Sequence, residues 1–274
     1  MSLNPDQPQV PLVADGLRAR RHKMARTVMA LILREMSTTY GRSPGGYIWA
    51  LLEPILGLAF LVFVFSFIVR SPPVGNSFAM FYASGLLPFL TFNAMANKAA
   101  TAIRFSRPLL AYPVVTYFDA LLARLILALF TNLVIAVIII TALMLWEDTG
   151  ARLGPADLAV SLSVLTAFSC GVGTLNCYLM TAFPVWERLW SVITRPLMLL
   201  SGMFYTFDTL PPMAQDVLWW NPLIHIVGGI RMGIYPNYSG DYISYAYVFG
   251  LSGGLVLMGL VLLNRHHKKM MNEM

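Results

Sequence analysis

The chain has 274 residues, 57% of them hydrophobic and only 12% charged, with a formal net charge of +6. Soluble domains carry about a quarter charged residues. An ordinary soluble fold is therefore excluded, and the apolar excess must face lipid or other apolar helices.

Residues 1–25 form a polar, basic N-terminus, Pro-rich at Pro5, Pro8 and Pro11 and then cationic at Arg18, Arg20, Arg21 and Lys23. No short apolar run with a cleavage site marks a secretory signal, so the N-terminus is expected to stay cytoplasmic. The basic run reads as a topology signal or as a contact for an anionic headgroup or substrate. From Arg26 to Gly41, Val28, Leu31, Ile32 and Met36 recur at helical spacing, with Arg34, Glu35, Thr38 and Thr39 between them. The stretch is too polar to span. It predicts an interfacial amphipathic helix ended by Gly41 and Pro44.

Six runs have the length of a membrane span: Tyr47–Val69, Phe78–Ala96, Phe118–Trp146, Leu158–Phe183, Leu189–Phe207 and Tyr245–Leu263. The fold class is thus an all-α membrane protein with six transmembrane helices. With the N-terminus inside, the cytoplasmic segments collect Arg34, Arg42, Lys98, Arg104, Arg107, Arg124, Arg188, Arg195, Arg265, Lys268 and Lys269. The outer loops keep only Arg70, Arg152 and Arg231. That asymmetry predicts both termini in the cytoplasm. Intramembrane charge reduces to Glu53, Asp119 and Arg124, too little for the acidic relay of an ion-coupled carrier.

Residues 97–117, between the second and third runs, are too polar to span and carry Arg104, Phe105 and Arg107. They read as a short helix docking a cytoplasmic partner or as a solvated loop. Residues 217–234 are apolar but broken by Pro222 and by Gly228-Gly229. A re-entrant gate dipping from the outer face is expected, because irregular backbone at membrane depth must line a cavity or be buried in protein. A cap lying flat on the outer surface is the other reading. Aromatic residues gather nearby, from Tyr205 and Phe207 through Trp219, Trp220, Tyr235 and Tyr238 to Tyr242, Tyr245 and Tyr247. They read as an interfacial belt or as platforms on which sugar rings stack. Residues 269–274 form a short tail.

Cys170 and Cys177, seven residues apart in one apolar run, stand about 10 Å apart on a helix, too far for a disulfide. Phosphate-loop, dinucleotide, metalloprotease and Ser/His/Asp motifs are missing, and the four histidines form no ligand cluster. If ATP drives this protein, another chain binds it.

The stretch LILREMSTTYGRSPGGYIWALLEPILG resembles the opening of the permease subunits of type 2 ABC exporters, above all the branch exporting capsular polysaccharide, O-antigen and teichoic acid. GLLPFLTF (85–92), SCGVG (169–173), RPLMLLSGMFYTFDTLP (195–211) and WNPLIHIVGGIRMGIYPNY (220–238) fit the same family. The resemblance covers residues 26–268 and implies one transmembrane domain there. It contains an interfacial helix at 26–41, a coupling helix within 97–117 and a gate within 217–234. It further implies a homodimeric inner-membrane permease with no cofactor of its own, paired with two copies of an ABC ATPase that bind ATP and Mg. The substrate implied is a lipid-linked polysaccharide, most readily capsular, passed onward to periplasmic and outer-membrane export components. Nucleic acid is not an expected partner. Arg104, Phe105 and Arg107 fall on the coupling element, and Arg34 and Arg42 near the inner interface suit an anionic lipid head. Tyr205, Trp219, Trp220, Asn221, Pro222, His225, Arg231 and Tyr238 fall on the channel or outer gate. Competing readings are an exporter of drugs or free lipids, a channel without an ATPase, and a membrane-embedded transferase using Asp208, Asp216, His225 and Asp241, which lack motif spacing.

Overall fold

The structure is a computed structural model describing residues 13–39, 46–67, 71–110 and 115–273. All regular structure among the described residues is helical. The first helix, α1 (Val13–Thr39), begins well upstream of the expected Arg26, because Ala, Leu, Arg, Lys and Met in residues 13–25 all favour helix. Its inward face carries Val28 and Glu35, both buried, while Met29, Leu33 and Arg34 point outward.

Among the described residues five helices are long and apolar enough to cross a membrane: α2 (Gly46–Ser66), α3 (Phe78–Ala100), α5 (Tyr117–Trp146), α6 (Pro155–Ala182) and α10 (Tyr245–Glu273). Their starts follow local chemistry. Ser77 caps α3 by accepting from Met80 N–H, Thr116 and Asp119 form a reciprocal capping box on α5, and Pro155 opens α6, where its missing N–H costs nothing. The expected segment 97–117 resolves into the end of α3, a turn at Thr101, and α4 (Ala102–Leu110).

The fifth apolar run departs from expectation. No helix covers Leu189–Phe207; instead α7 spans Pro184–Leu199, 16 residues, too short to stand among those five helices. Gly202 takes φ +79°, a left-handed turn that glycine adopts without strain. The carbonyls of Met203 and Tyr205 are then bound by Arg231 rather than by a helical ladder. After a 3-10 turn at Phe207–Thr209 come α8 (Pro212–Leu218) and α9 (Pro222–Ile234). Little of α8 is covered, whereas α9 is buried along nearly its whole length.

The centre of the fold is α3, with 72% of its most apolar window buried, against 11% for α2 and 22% each for α5 and α10. It packs on α2, α5, α6 and α9, and α6 in turn packs on α10. Small residues set the spacing. A Cβ on Gly173 of α6 would lie 2.6 Å from the Ala99 Cβ of α3, and one on Gly259 of α10 would lie 2.8 Å from the Leu175 N of α6. Such close approach gains van der Waals contact where lipid supplies no hydrophobic drive. The core formed by Phe92, Val164, Leu165, Ile226 and Ile234 holds α9 against α3 and α6.

Candidate functional site

Two ends of the molecule gather the residues singled out above. At the first, α4 is amphipathic. Ala102, Ile103 and Ser106 are buried, while Arg104, Phe105 and Arg107 are exposed. Arg104 donates to a Glu187 carboxylate oxygen at 2.9 Å, bridging α4 to the first turn of α7. That hydrogen bond holds the Glu187 carboxyl below the usual carboxylate range. Arg107 makes no ion pair among the described residues.

Beneath α4 lies Arg124 of α5. Its guanidinium donates to the Thr101 carbonyl at 3.0 Å, sits 4.4 Å from the centre of the Phe105 ring and pairs with buried Glu35 of α1 at 3.3 Å. One buried cation therefore ties α1, the α3–α4 turn, α4 and α5. In sequence Arg124 stands only at a span edge, because its partners come from three separate segments. Arg34 stands exposed on α1, and Arg42 lies outside the described residues.

The second end is an aromatic cluster around α8 and α9. Trp219 stacks on Tyr247 at 5.3 Å, meets Trp220 and His225 edge-on, and donates its indole N–H to the Tyr242 carbonyl. His225 is fully buried. Its Nδ1 accepts from Ser244 N–H, so its Nε2 carries the proton and donates to the Trp219 carbonyl at 2.7 Å. Tyr238 and Tyr242 share a hydroxyl hydrogen bond at 3.0 Å, and Tyr242 stacks on Phe207 at 4.1 Å. Asn221 caps α9 through Leu223 N–H and donates to the Leu200 carbonyl, joining α9 to the end of α7, and Pro222 opens α9.

Of the eight residues expected at the channel or gate, only Trp220 is exposed, at 67%. Arg231, expected in an outer loop, is instead 1% exposed within α9. It donates to the Tyr205 and Met203 carbonyls and to Ser84 Oγ, with its guanidinium carbon 4.2 Å from the Phe81 ring centre. Arg231 is a clamp on the 203–205 loop and borders the aromatic cluster through the Tyr238 hydroxyl.

One residue escaped the sequence reading. Arg195 was counted with the cytoplasmic charges, yet it stands exposed on α7 beyond the helix midpoint, on one face with Arg188 and Ser191 at positions i, i+3 and i+7. Its position inside the Leu189–Phe207 run was the available signal. Among the described residues no group of three His, Cys, Asp or Glu is placed to hold a metal ion. A cavity of about 170 Å³ between α3, α5, α6 and α9 is lined almost wholly by apolar side chains such as Leu87, Ile140, Leu162 and Ile230, and offers little to a sugar hydroxyl.

Comparison with known proteins gives these elements a context. The chain is 30% identical to the polysialic acid transport protein KpsM of Escherichia coli over 253 residues, covering 90% of this chain and 96% of the relative. It is 25% identical to the capsule polysaccharide export inner-membrane protein BexB of Haemophilus influenzae over 89% of this chain and 92% of the relative. It is 22% identical to the O-antigen export system permease protein RfbA of Klebsiella pneumoniae over 85% of this chain and 88% of the relative. The family described as ABC-2 type transporter matches residues 26–235, from α1 through the whole of α9. The shared span takes in α4, α7, α8 and α9, and the chain belongs to the ABC-2 type transporter family of membrane proteins.

Proposed function

We propose that this chain is the membrane-spanning permease subunit of an ATP-driven exporter that moves a lipid-linked capsular polysaccharide across the inner membrane. Two relatives named for polysialic acid transport and capsule polysaccharide export, at 30% and 25% identity, support capsule over O-antigen, whose permease relative stands at 22%. The observation that carries the ATP-driven reading is α4: a short helix that buries Ala102, Ile103 and Ser106 and presents Phe105 and Arg107 outward, anchored from beneath by Arg124.

In this reading two copies of the chain pair with two copies of an ABC ATPase, which bind ATP and Mg. The transmembrane domain runs over 26–268, between the basic N-terminus 1–25 and the tail 269–274, with both termini cytoplasmic. The Leu189–Phe207 run, most of α7 and the turns after it, serves as the fifth of six spans, with the first turn of α7 outside it. The anionic lipid head is drawn to Arg34 and Arg42, an attraction of about 1 kcal/mol per basic residue at an anionic surface. The glycan enters between the copies. ATP-driven closure pushes on α4, and Arg124 passes that motion to α1 and α5 as rigid-body tilting. The polymer leaves past α8 and α9, where Trp220 offers its ring to passing sugars. No covalent bond changes in this chain.

The test is to purify the chain in lipid nanodiscs with an ABC ATPase encoded beside it and to measure hydrolysis with and without lipid-linked polysaccharide. A stable complex whose hydrolysis responds to the glycolipid is expected. Failure of any ATPase to bind would sink the coupling argument and return the channel and transferase readings.

A further inference from the structure

We infer that the open face of α7 is a water-filled cationic track on which Arg195, with Arg188 and Ser191, takes the carboxylates of an acidic glycan as it crosses; this rests on the reading of the chain as a polysaccharide exporter.

The orientation of α7 is pinned. Trp186 donates to Asn176 Oδ1 of α6 at 2.9 Å, and Trp190 donates to Asn97 Oδ1 of α3 at 3.2 Å. Leu197 and Met198 pack on the core on the same side. The face bearing Arg188, Ser191 and Arg195 therefore turns away from the body, and all three residues are exposed. Neither arginine side chain makes a hydrogen bond or ion pair among the described residues.

The depth of Arg195 follows from two fixed points. Trp190 is level with Asn97, three residues from the end of α3. Met203 is level with Gly85, where an added Cβ would lie 2.8 Å from the Met203 Cα. Arg195 falls between these levels, alongside the middle of a 23-residue span. A guanidinium stays charged at any accessible pH. At mid-membrane depth facing hydrocarbon it is among the costliest of placements, and such residues face water or a partner. The exposed face of α7 thus requires water, an anion or both.

Carboxylate fits that requirement. The planar guanidinium fork binds it through two parallel hydrogen bonds. Arg188 and Arg195 stand about 10 Å apart along the helix axis, with Ser191 between, a spacing that lets an acidic unit pass from one to the next. A lipid headgroup remains in the interfacial plane, out of reach of Arg195. The acidic group exposed on a neighbouring open helix is Glu53 of α2, which a second copy would bring near.

The test uses the full chain with its ATPase in zwitterionic nanodiscs. Hydrolysis is titrated with a lipid-linked oligosaccharide of uronic acid and with its methyl ester. The acid form is expected to act at about tenfold lower concentration. Arg195→Gln should erase that difference, and Arg195→Lys should keep most of it. Equal action of both forms on the wild-type chain, or a difference that survives Arg195→Gln, overturns the inference while leaving the exporter reading intact. Stimulation by neither form defeats both. If added anionic lipid abolishes the preference, Arg195 is a headgroup contact; if Glu53→Gln alone reproduces Arg195→Gln, it is an interface ion pair; either result overturns the track. A second probe leaves both arginines in place. Ser191→Cys, in a chain with Cys170 and Cys177 replaced by Ala, should react with water-borne thiosulfonates, the anionic one about tenfold faster than the cationic one. No reaction, or the opposite preference, counts against the track.

Discussion

Arg231 is a charge buried beside neutral groups only, and it is tolerated because two carbonyls, a hydroxyl and the Phe81 face replace its water. Arg231→Met would leave the Met203 and Tyr205 carbonyls unpaired, with an expected loss of about 2–4 kcal/mol in thermal or denaturant unfolding. Arg231→Lys should recover little, since a point donor cannot fork across both. Arg124 differs, because its partner Glu35 is itself a buried charge. Arg124→Met takes the paired guanidinium from that carboxylate and leaves it Lys98 as its nearby cation, for an expected cost of about 3 kcal/mol, whereas Glu35→Gln with Arg124→Met should cost less than the two single effects summed. The tryptophans separate in the same way. Trp219, stacked and hydrogen-bonded, is expected to lose about 3 kcal/mol on truncation to Ala. Trp220, largely exposed, should lose no more than about 0.5 kcal/mol while weakening the response of hydrolysis to glycan. Equal stability losses at both positions would remove the distinction between a structural ring and a free one.

Helix α4 is the element whose surface decides what docks. Arg107→Glu is expected to abolish ATPase co-purification with unfolding unchanged, because Arg107 pairs with no acid among the described residues. Arg104→Glu is a poorer probe, since it also sets a carboxylate against Glu187. Protonation acts on this tie with a definite sign. The Glu187 carboxyl is held down by Arg104, so the bridge is fully present above the ordinary glutamate value of about 4.3 and is lost as pH falls through the depressed one. Trypsin cleavage at α4 should therefore not vary with pH across the neutral range. The α6 helix makes its own demand. Gly173→Val drives side-chain atoms into Ala99 and should cost about 1–3 kcal/mol.

On the scale of the whole molecule, α2 and α7 are among the least covered of the described helices. Helix α2 has 11% of its most apolar window buried, and α7 has no buried residue. In the proposed dimer these open faces meet across the channel. Leu56→Cys on α2 combined with Leu189→Cys, on the flank of α7 turned away from Ser191 and Arg195, both exposed in one chain, should give an intermolecular disulfide seen as a dimer on a non-reducing gel. If none forms across a scan of exposed α2 and α7 positions, the channel lies elsewhere. Reporter fusions at either end should place both termini in the cytoplasm.

Composition and periodicity by themselves determined the membrane class, the helical fold and the bounds of four long spans to within a few residues. Lipid imposes a length and a polarity on any segment that crosses it, and both are local properties. The helices within 26–41 and 97–117 were legible for a related reason: polar residues at helical spacing beside apolar runs have few other places to go. Tertiary structure alone decided the rest. The 189–207 run reads as one span, yet Gly202 and the Arg231 clamp end its helix early, and that clamp comes from a segment 28 residues away. His225, Arg231 and Tyr238 read as gate residues, and only the tertiary structure shows that all three are buried; Arg195 reads as a cytoplasmic charge, and only the tertiary structure sets it between the levels of Asn97 and Gly85 on α3. A residue's type is written in the chain, but which face it takes and who neutralises it depend on partners far apart in sequence.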